Sequence, residues 1–164
     1  MQIDDALLDI INRPCLGAIA QPETDGDLLL HFGEWQFYED PPDPRLLTSE
    51  RGKWSLMIHC PWRLDSPTST VCDWRSVSDP EQESAASHLV LEGLMIEAVE
   101  LHRPGLDLEL RFAGGYRIKS LCDSEGKSGD CWYLLLPDGS SLVATRDHRL
   151  VREPPTSPTQ RHAT

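Results

Sequence analysis

The sequence predicts a single α+β domain composed mainly of antiparallel β-sheet. Several short segments alternate apolar and polar side chains, which is the period of a half-buried strand, and Gly, Pro and Asp residues separate them as turns. The length of 164 residues and the 39% hydrophobic content are typical of one globular domain. We place this domain at residues 1–152. Residues 153–164 are polar and rich in proline, and we expect them to form a disordered tail.

Helices form a minor part of this prediction. Either of the first two aspartates can cap a short N-terminal helix that ends near Asn12, because Pro14 excludes helical dihedral angles from the residue before it. One more short helix is predicted near residue 80, where Ser78-Asp79-Pro80-Glu81 combines a capping residue with an early proline. The rest of residues 64–88 lacks periodicity and predicts loop.

Three strands are predicted in the first half of the chain, and a fourth follows. Residues 15–20 and 28–32 are short apolar runs that flank a polar turn, while residues 53–60 alternate until a proline ends ladder pairing. Residues 89–102 fit either a helical stripe or a strand. A glycine within them and a Pro-Gly turn after them favour a strand from about Met95.

The clearest strand signal is in residues 106–112, where Leu and Phe alternate with charged side chains. A three-residue loop at 113–115 keeps apolar side chains on one face of the following hairpin, whereas a two-residue turn opposes polar to apolar groups. The longer loop pairs Leu110 with Ile118, Glu109 with Lys119 and Phe112 with Tyr116. A second hairpin is predicted from residues 132–136 and 141–145, with a two-residue turn at Asp138-Gly139.

Charge is the most informative bulk property. The chain has 27 acidic and 15 basic residues, a net charge of −12. The first fifty residues hold eleven acidic and two basic residues, a net of −9, whereas residues 101–164 are close to neutral. Such a balance disfavours nucleic acid and anionic lipid and suits a basic protein partner, or it serves solubility alone. The sequence contains no run of about 20 apolar residues, so no membrane span is predicted.

The five cysteines predict reduced thiols. They are odd in number and contain no Cys-x-x-Cys pair, which argues against a disulfide framework and a structural zinc site. With an acidic N-terminus in place of a basic signal region, this favours a cytoplasmic protein. Cys122 and Cys131 flank one loop and could face each other across adjacent strands, so their pairing remains open.

Two groups of residues are candidate binding surfaces. Aromatic residues lie within the acidic first part of the chain and predict a partner-binding face. This face comprises Glu34, Trp35, Tyr38, Glu39, Asp40 and Asp43. The competing interpretation makes Trp35 and Phe37 core residues. The second group is Trp62-Arg63 and Asp73-Trp74. Arg63 and Asp73 predict a salt bridge that closes the intervening loop, or Arg63 holds an anionic ligand.

Catalytic signatures are missing from the sequence. His59 and Cys60 are adjacent on a predicted strand, so their side chains point to opposite faces and this histidine cannot activate this thiol. The chain contains no Gly-x-Ser-x-Gly, phosphate loop or dinucleotide fingerprint. We therefore predict no catalytic residues, no metal ligands and no cofactor.

A strand that ends in Cys60-Pro61-Trp62-Arg63, followed by Asp73, the Leu108–Gly115 hairpin and Trp132, resembles a group of small uncharacterised bacterial proteins over residues 53–145. The chain is also similar in style to immunity proteins of bacterial toxin systems, which are small, acidic and enzymatically inert. The resemblance implies a non-enzymatic, immunity or antitoxin-like inhibitor of a basic toxin. The alternative is a small-molecule or anion-binding module at Trp62-Arg63 and Asp73-Trp74.

Overall fold

The computed structural model describes residues 5–21, 26–37, 50–75, 90–122 and 129–155. Within these ranges the chain forms one short helix, α1 (Asp5–Leu8), and eleven strands. The strands are β1 (Cys15–Gln21), β2 (Asp27–Phe37), β3 (Glu50–Ile58), β4 (Trp62–Asp65), β5 (Thr70–Asp73), β6 (Ile96–His102), β7 (Asp107–Phe112), β8 (Arg117–Ser120), β9 (Asp130–Leu135), β10 (Ser141–Thr145) and β11 (Leu150–Glu153). The predicted class, mainly antiparallel sheet with a short N-terminal helix, is confirmed.

The strands form two antiparallel sheets. The six-stranded sheet has the order β1-β2-β3-β9-β10-β11, and the five-stranded sheet has the order β5-β4-β8-β7-β6. In the described ranges no helix has the length and apolar character needed to cross a bilayer. The helix predicted near residue 80 lies outside the described residues, as do residues 156–164 of the predicted tail.

One continuous hydrophobic core takes alternate side chains from both sheets, so the sheets pack against each other through their inner faces. Trp62 and Trp132 are among its largest fully buried side chains, and α1 adds Leu7. Each fully buried side chain of this size contributes about 1.5–3 kcal/mol of hydrophobic stabilisation. A second cluster, on the outer face of the six-stranded sheet, consists of Leu29, Met57, Tyr133, Leu135 and Val143.

The hairpin of β7 and β8 has the predicted register. Leu110 lies opposite Ile118 and Glu109 opposite Lys119, and the Phe112 amide donates a 2.8 Å hydrogen bond to the Tyr116 carbonyl. The loop between them is the predicted three residues, Ala113–Gly115. The segment before this hairpin, ambiguous between helix and strand, is β6, which agrees with a strand from about Met95.

Three local predictions are wrong. The region 64–88, predicted as loop with one short helix, contains the end of β4 and all of β5, which are too short to show a period. The N-terminal α-helix ends at Leu8 after a single turn, not near Asn12. The segment continues as turns to Asn12, whose φ of 68° is not helical. Leu136 and Ser140 close the β9–β10 connection, so its loop has three residues, not two.

The expectation of reduced thiols is wrong for two of the five cysteines, Cys122 and Cys131, whose pairing the sequence left open. Cys122 follows β8, and Cys131 lies in β9 of the other sheet; the two form a disulfide. The packing of the two sheets brings these positions together, whereas the sequence offered the pair only as an open alternative across adjacent strands. The three remaining cysteines are free and buried.

Candidate functional site

Charged side chains form a row across the outer face of the five-stranded sheet, the face opposite the core. Asp73 lies opposite Arg63, Arg63 opposite Lys119, Lys119 opposite Glu109, and Glu109 opposite Glu100. The row exists because side chains alternate along a strand, so apolar residues next to these positions, such as Leu64 and Leu110, point into the core. It crosses all five strands and carries charge in the order minus, plus, plus, minus, minus.

A cleft of about 500 Å³ opens over part of this row. Its size is in the range of small-molecule sites in proteins. Thirteen residues line it: Pro61, Trp62, Arg63, Asp73, Trp74, Arg75, His102, Asp107, Leu108, Glu109, Lys119, Ser120 and Leu121. All four residues of the predicted ligand-binding group are therefore neighbours of one cavity.

The carboxylate that Arg63 contacts is Asp65, and the predicted partner Asp73 was the wrong first candidate. Arg63 Nε donates a 3.1 Å hydrogen bond to Asp65 Oδ2, and the Thr70 hydroxyl donates another, also 3.1 Å, to Asp65 Oδ1. Asp65 is two residues along the same strand and faces the same side. Asp73 lies across the ladder from Arg63, and its Oδ1 accepts the Arg75 amide at 2.9 Å.

The two tryptophans of the group have different environments. Trp62 is 2% exposed and its indole N–H donates a 2.7 Å hydrogen bond to the Gly26 carbonyl, so its ring belongs to the core. Trp74 is half-buried, its amide is bonded to the Trp62 carbonyl, and the Arg75 guanidinium lies 5.4 Å from the centre of its ring. Of the two rings, only that of Trp74 can therefore offer an aromatic surface to a ligand.

Glu109 is the most buried carboxylate of the cleft, with 8% of its side chain exposed. Arg111 Nη2 lies 3.1 Å from Glu109 Oε2, and Lys119 Nζ lies 3.5 Å from Oε1. Burial raises the pKa of the Glu109 carboxyl, but the hydrogen bond from Arg111 and the positive charges of Arg111 and Lys119 outweigh it and hold the pKa below its usual value. Glu109 is therefore ionised at neutral pH.

Glu100, His102 and Glu109 bring potential metal ligands within 4.8 Å of one another. Arg111 Nη2 contacts both carboxylates, at 3.3 Å to Glu100 and 3.1 Å to Glu109. His102 Nε2 lies 3.5 Å from Glu100. The Arg111 guanidinium bridges the two carboxylates, and Lys119 adds a second positive charge beside Glu109, so the geometry is explained by an ion-pair network.

The second predicted surface is described only in part. Tyr38, Glu39, Asp40 and Asp43 lie outside the described residues, whereas Glu34 and Trp35 lie on β2. Glu34 is exposed, Trp35 is 47% exposed and Phe37 is 75% exposed, so the interpretation of these two aromatic residues as core residues is wrong. The ring of Trp35 packs over Gly17 and lies 5.1 Å from that of His31.

Cys60 and His59 do not form a nucleophile and its base. Burial raises the pKa of the Cys60 thiol to about 12, so it is protonated at neutral pH. The His59 ring instead pairs with Asp27, with 2.7 Å between Nδ1 and Oδ2. Burial likewise raises the pKa of Cys15 to about 12 and that of Cys72 to about 11.

The structure thus brings Arg63, Asp73 and Trp74 together and adds Lys119 and Glu109, which the sequence did not assign to a site. The predicted pairing of Glu109 with Lys119 was a partial signal, but its link to Arg63 depends on the pairing of β4 with β8. Glu34 and Trp35, the described residues of the other surface, lie on β2 of the six-stranded sheet. No protein-family model, curated protein or solved structure matches the chain.

Proposed function

We propose that the protein is a non-enzymatic binding protein that holds a basic protein partner, in the manner of an immunity or antitoxin-like inhibitor of a bacterial toxin. The observation that carries the proposal is the exposure of Trp35 and Phe37 on β2, within a fifty-residue segment whose net charge is −9. Exposed aromatic side chains next to acidic ones have the composition of a protein-binding hot spot.

The two kinds of side chain have separate roles in this proposal. The negative charge attracts a basic partner over a distance and raises the association rate, in a way that salt screens. Trp35 and Phe37 then supply the apolar contact area that slows dissociation. Tyr38, Glu39, Asp40 and Asp43, which the sequence assigns to the same face, lie outside the described residues.

The test begins with capture of a partner from the source organism and its identification by mass spectrometry. With the purified partner, surface plasmon resonance compares Trp35→Ala and Phe37→Ala with Val151→Ala, an exposed apolar residue on β11 of the same sheet. We expect at least one of the first two changes to weaken binding about 30-fold or more, and the control to change it less than about threefold.

Salt and charge reversal test the electrostatic part of the same proposal. The association rate is expected to fall at least about tenfold between low and high salt, and further in the double variant Glu39→Lys/Asp40→Lys. An acidic partner, or a partner whose binding is indifferent to salt and to both aromatic substitutions, contradicts the proposal.

The predicted cytoplasmic location belongs to this proposal too, and the Cys122–Cys131 disulfide argues for an oxidising compartment instead. Cell fractionation decides between the two.

A second function is favoured by the cleft on the five-stranded sheet. We propose that this cleft binds a small molecule through Arg63, Asp73 and Trp74, with Trp62 as the buried support of its wall. The supporting observation is that these side chains, from two separate segments, border one cavity of about 500 Å³. Chemical-shift mapping with small fragments tests it, and shifts confined to residues outside the cleft contradict it.

A further inference from the structure

Two cations lie side by side at the centre of the charged row. Arg63 on β4 and Lys119 on β8 are directly opposite each other in the ladder, with Asp73 beyond Arg63 and Glu109 beyond Lys119. Like charges at directly opposite positions repel and destabilise a sheet. The arrangement therefore concentrates positive charge at one point of a chain whose net charge is −12.

Both cations keep donors available for a ligand. Arg63 contacts Asp65 through Nε, and no contact within the described part of the chain uses its two terminal nitrogens. Lys119 Nζ has a single long contact there, 3.5 Å to Glu109 Oε1. The two side chains are 50% and 40% exposed, so their donors reach the cleft without leaving the strands that position them.

Apolar surface borders the same cations. Trp74 is half-buried at one side of the cleft, and Leu121, which is 56% exposed, also lines it. Pro61 adds a rigid ring, and its carbonyl accepts the Leu121 amide at 2.8 Å, which joins the two residues. A ligand that contacts both cations can thus bury an apolar part against these side chains.

We propose that the cleft binds a small organic anion whose carboxylate or phosphate group bridges Arg63 and Lys119, while its apolar part lies against Trp74 and Leu121. This inference rests on the second function proposed above and names the ligand class. Guanidinium and ammonium groups are the usual protein donors to both kinds of anion. A bound anion also removes the repulsion between the two cations, so its binding is favoured over that of a neutral analogue.

The chain contains a matched control. Arg111 and Arg117 are likewise directly opposite each other, on β7 and β8 of the same face. Arg111, however, is paired with Glu100 and Glu109, and neither arginine lines the cleft. Arg117→Gln therefore removes one charge from the same strand and face, and leaves the cleft intact.

Titrations monitored by amide chemical shifts test the proposal with benzoate, phenyl phosphate and the neutral benzyl alcohol at low ionic strength. At least one anion is expected to shift the amides of Arg63 and Lys119 and the indole of Trp74 in a saturable way, at least about tenfold more tightly than the alcohol. Arg63→Gln and Lys119→Gln should each lower the affinity for that anion about tenfold, whereas Arg117→Gln should change this affinity less than about twofold. The spectrum of each variant verifies that it is folded.

Other outcomes separate this inference from the function on which it rests. If the alcohol binds as tightly as the anions, the cleft is a ligand site but the anion subsite is refuted. If no probe shifts cleft resonances, both fail, and the protein-binding proposal for β2 is unaffected. If the anions shift Arg117 as much as Lys119, the attraction is nonspecific and the bridging site is refuted. The ratio of the dissociation constants of benzoate and phenyl phosphate shows whether the site prefers a carboxylate or a phosphate group.

Discussion

His31 on β2 is a buried residue whose ionisation is linked to folding. It is 2% exposed, and its Nδ1 accepts the Gly52 amide at 3.1 Å and lies 2.8 Å from the Ser55 hydroxyl. Burial and the positive charge of Arg51 lower its pKa to about 4. The neutral ring is therefore the folded form, and protonation favours the unfolded chain, in which the pKa is near 6.5.

This linkage predicts a loss of stability in mild acid. The stability that the neutral His31 ring contributes to the fold is fully present above pH 6.5. It is lost as the pH falls from 6.5 towards 4, because the unfolded state binds the proton first. In His31→Asn, the side-chain oxygen can still accept the Gly52 amide but does not titrate. Between pH 7 and pH 5, the wild type should lose about 2 kcal/mol more unfolding free energy than the variant, measured by urea denaturation. Equal losses would show that His31 titrates normally.

At the scale of elements, the β7–β8 hairpin depends on the conformation of its loop. Gly114 and Gly115 both have a φ of 84°, a region that residues with a Cβ atom rarely adopt. Their surroundings differ. A Cβ at Gly115 would lie 2.6 Å from Pro67 Cγ, whereas one at Gly114 would lie at an ordinary 3.6 Å from the Tyr116 ring. Gly115 is thus needed for both its dihedral angle and its contact with the β4–β5 loop.

Two alanine substitutions separate these effects. Gly114→Ala should cost about 1 kcal/mol of unfolding free energy, because it pays only for the positive φ. Gly115→Ala should cost about 1–3 kcal/mol more, since the methyl group also displaces Pro67. Chemical denaturation of the two variants measures the difference. Equal costs would mean that the β4–β5 loop does not pack against the hairpin as described.

At the scale of the molecule, the Cys122–Cys131 disulfide joins the two sheets. Its partners are nine residues apart in sequence, and they connect the end of β8 to β9. The shared core also joins the sheets, as does the hydrogen bond from the Trp132 indole to the Leu106 carbonyl. A crosslink that closes a loop of this length stabilises a fold by about 2–3 kcal/mol, chiefly by restricting the unfolded chain.

The double variant Cys122→Ser/Cys131→Ser should lose about 2–3 kcal/mol of unfolding free energy relative to the oxidised wild type. Reduced wild type should match the variant, which serves as the control for the serine substitutions. Thiol titration in denaturant should count three thiols before reduction and five after it. Five thiols in the unreduced protein would contradict the crosslink.

Local sequence determined the parts of the fold whose signal is contained within one segment. Residues 106–122 specify their own hairpin, because a shift of one residue would place every leucine in solvent. The same logic predicted β1, β3, β6 and β10, whose apolar alternation or adjacent turn residues are local. The sequence alone also shows that the first fifty residues are acidic, and that Arg63 and Asp73 each lie next to a tryptophan.

Tertiary structure alone decided what depends on contacts between distant segments. β4 and β5 have four residues each, too few to show a period, and β4 is a strand because β8 offers it a ladder. That pairing sets Lys119 beside Arg63 and so creates the cation pair of the cleft. The disulfide and the exposure of Trp35 have the same origin. The periodicity of a segment shows which of its side chains share a face. Which other residues that face contacts depends on strand pairing and on the packing of the sheets.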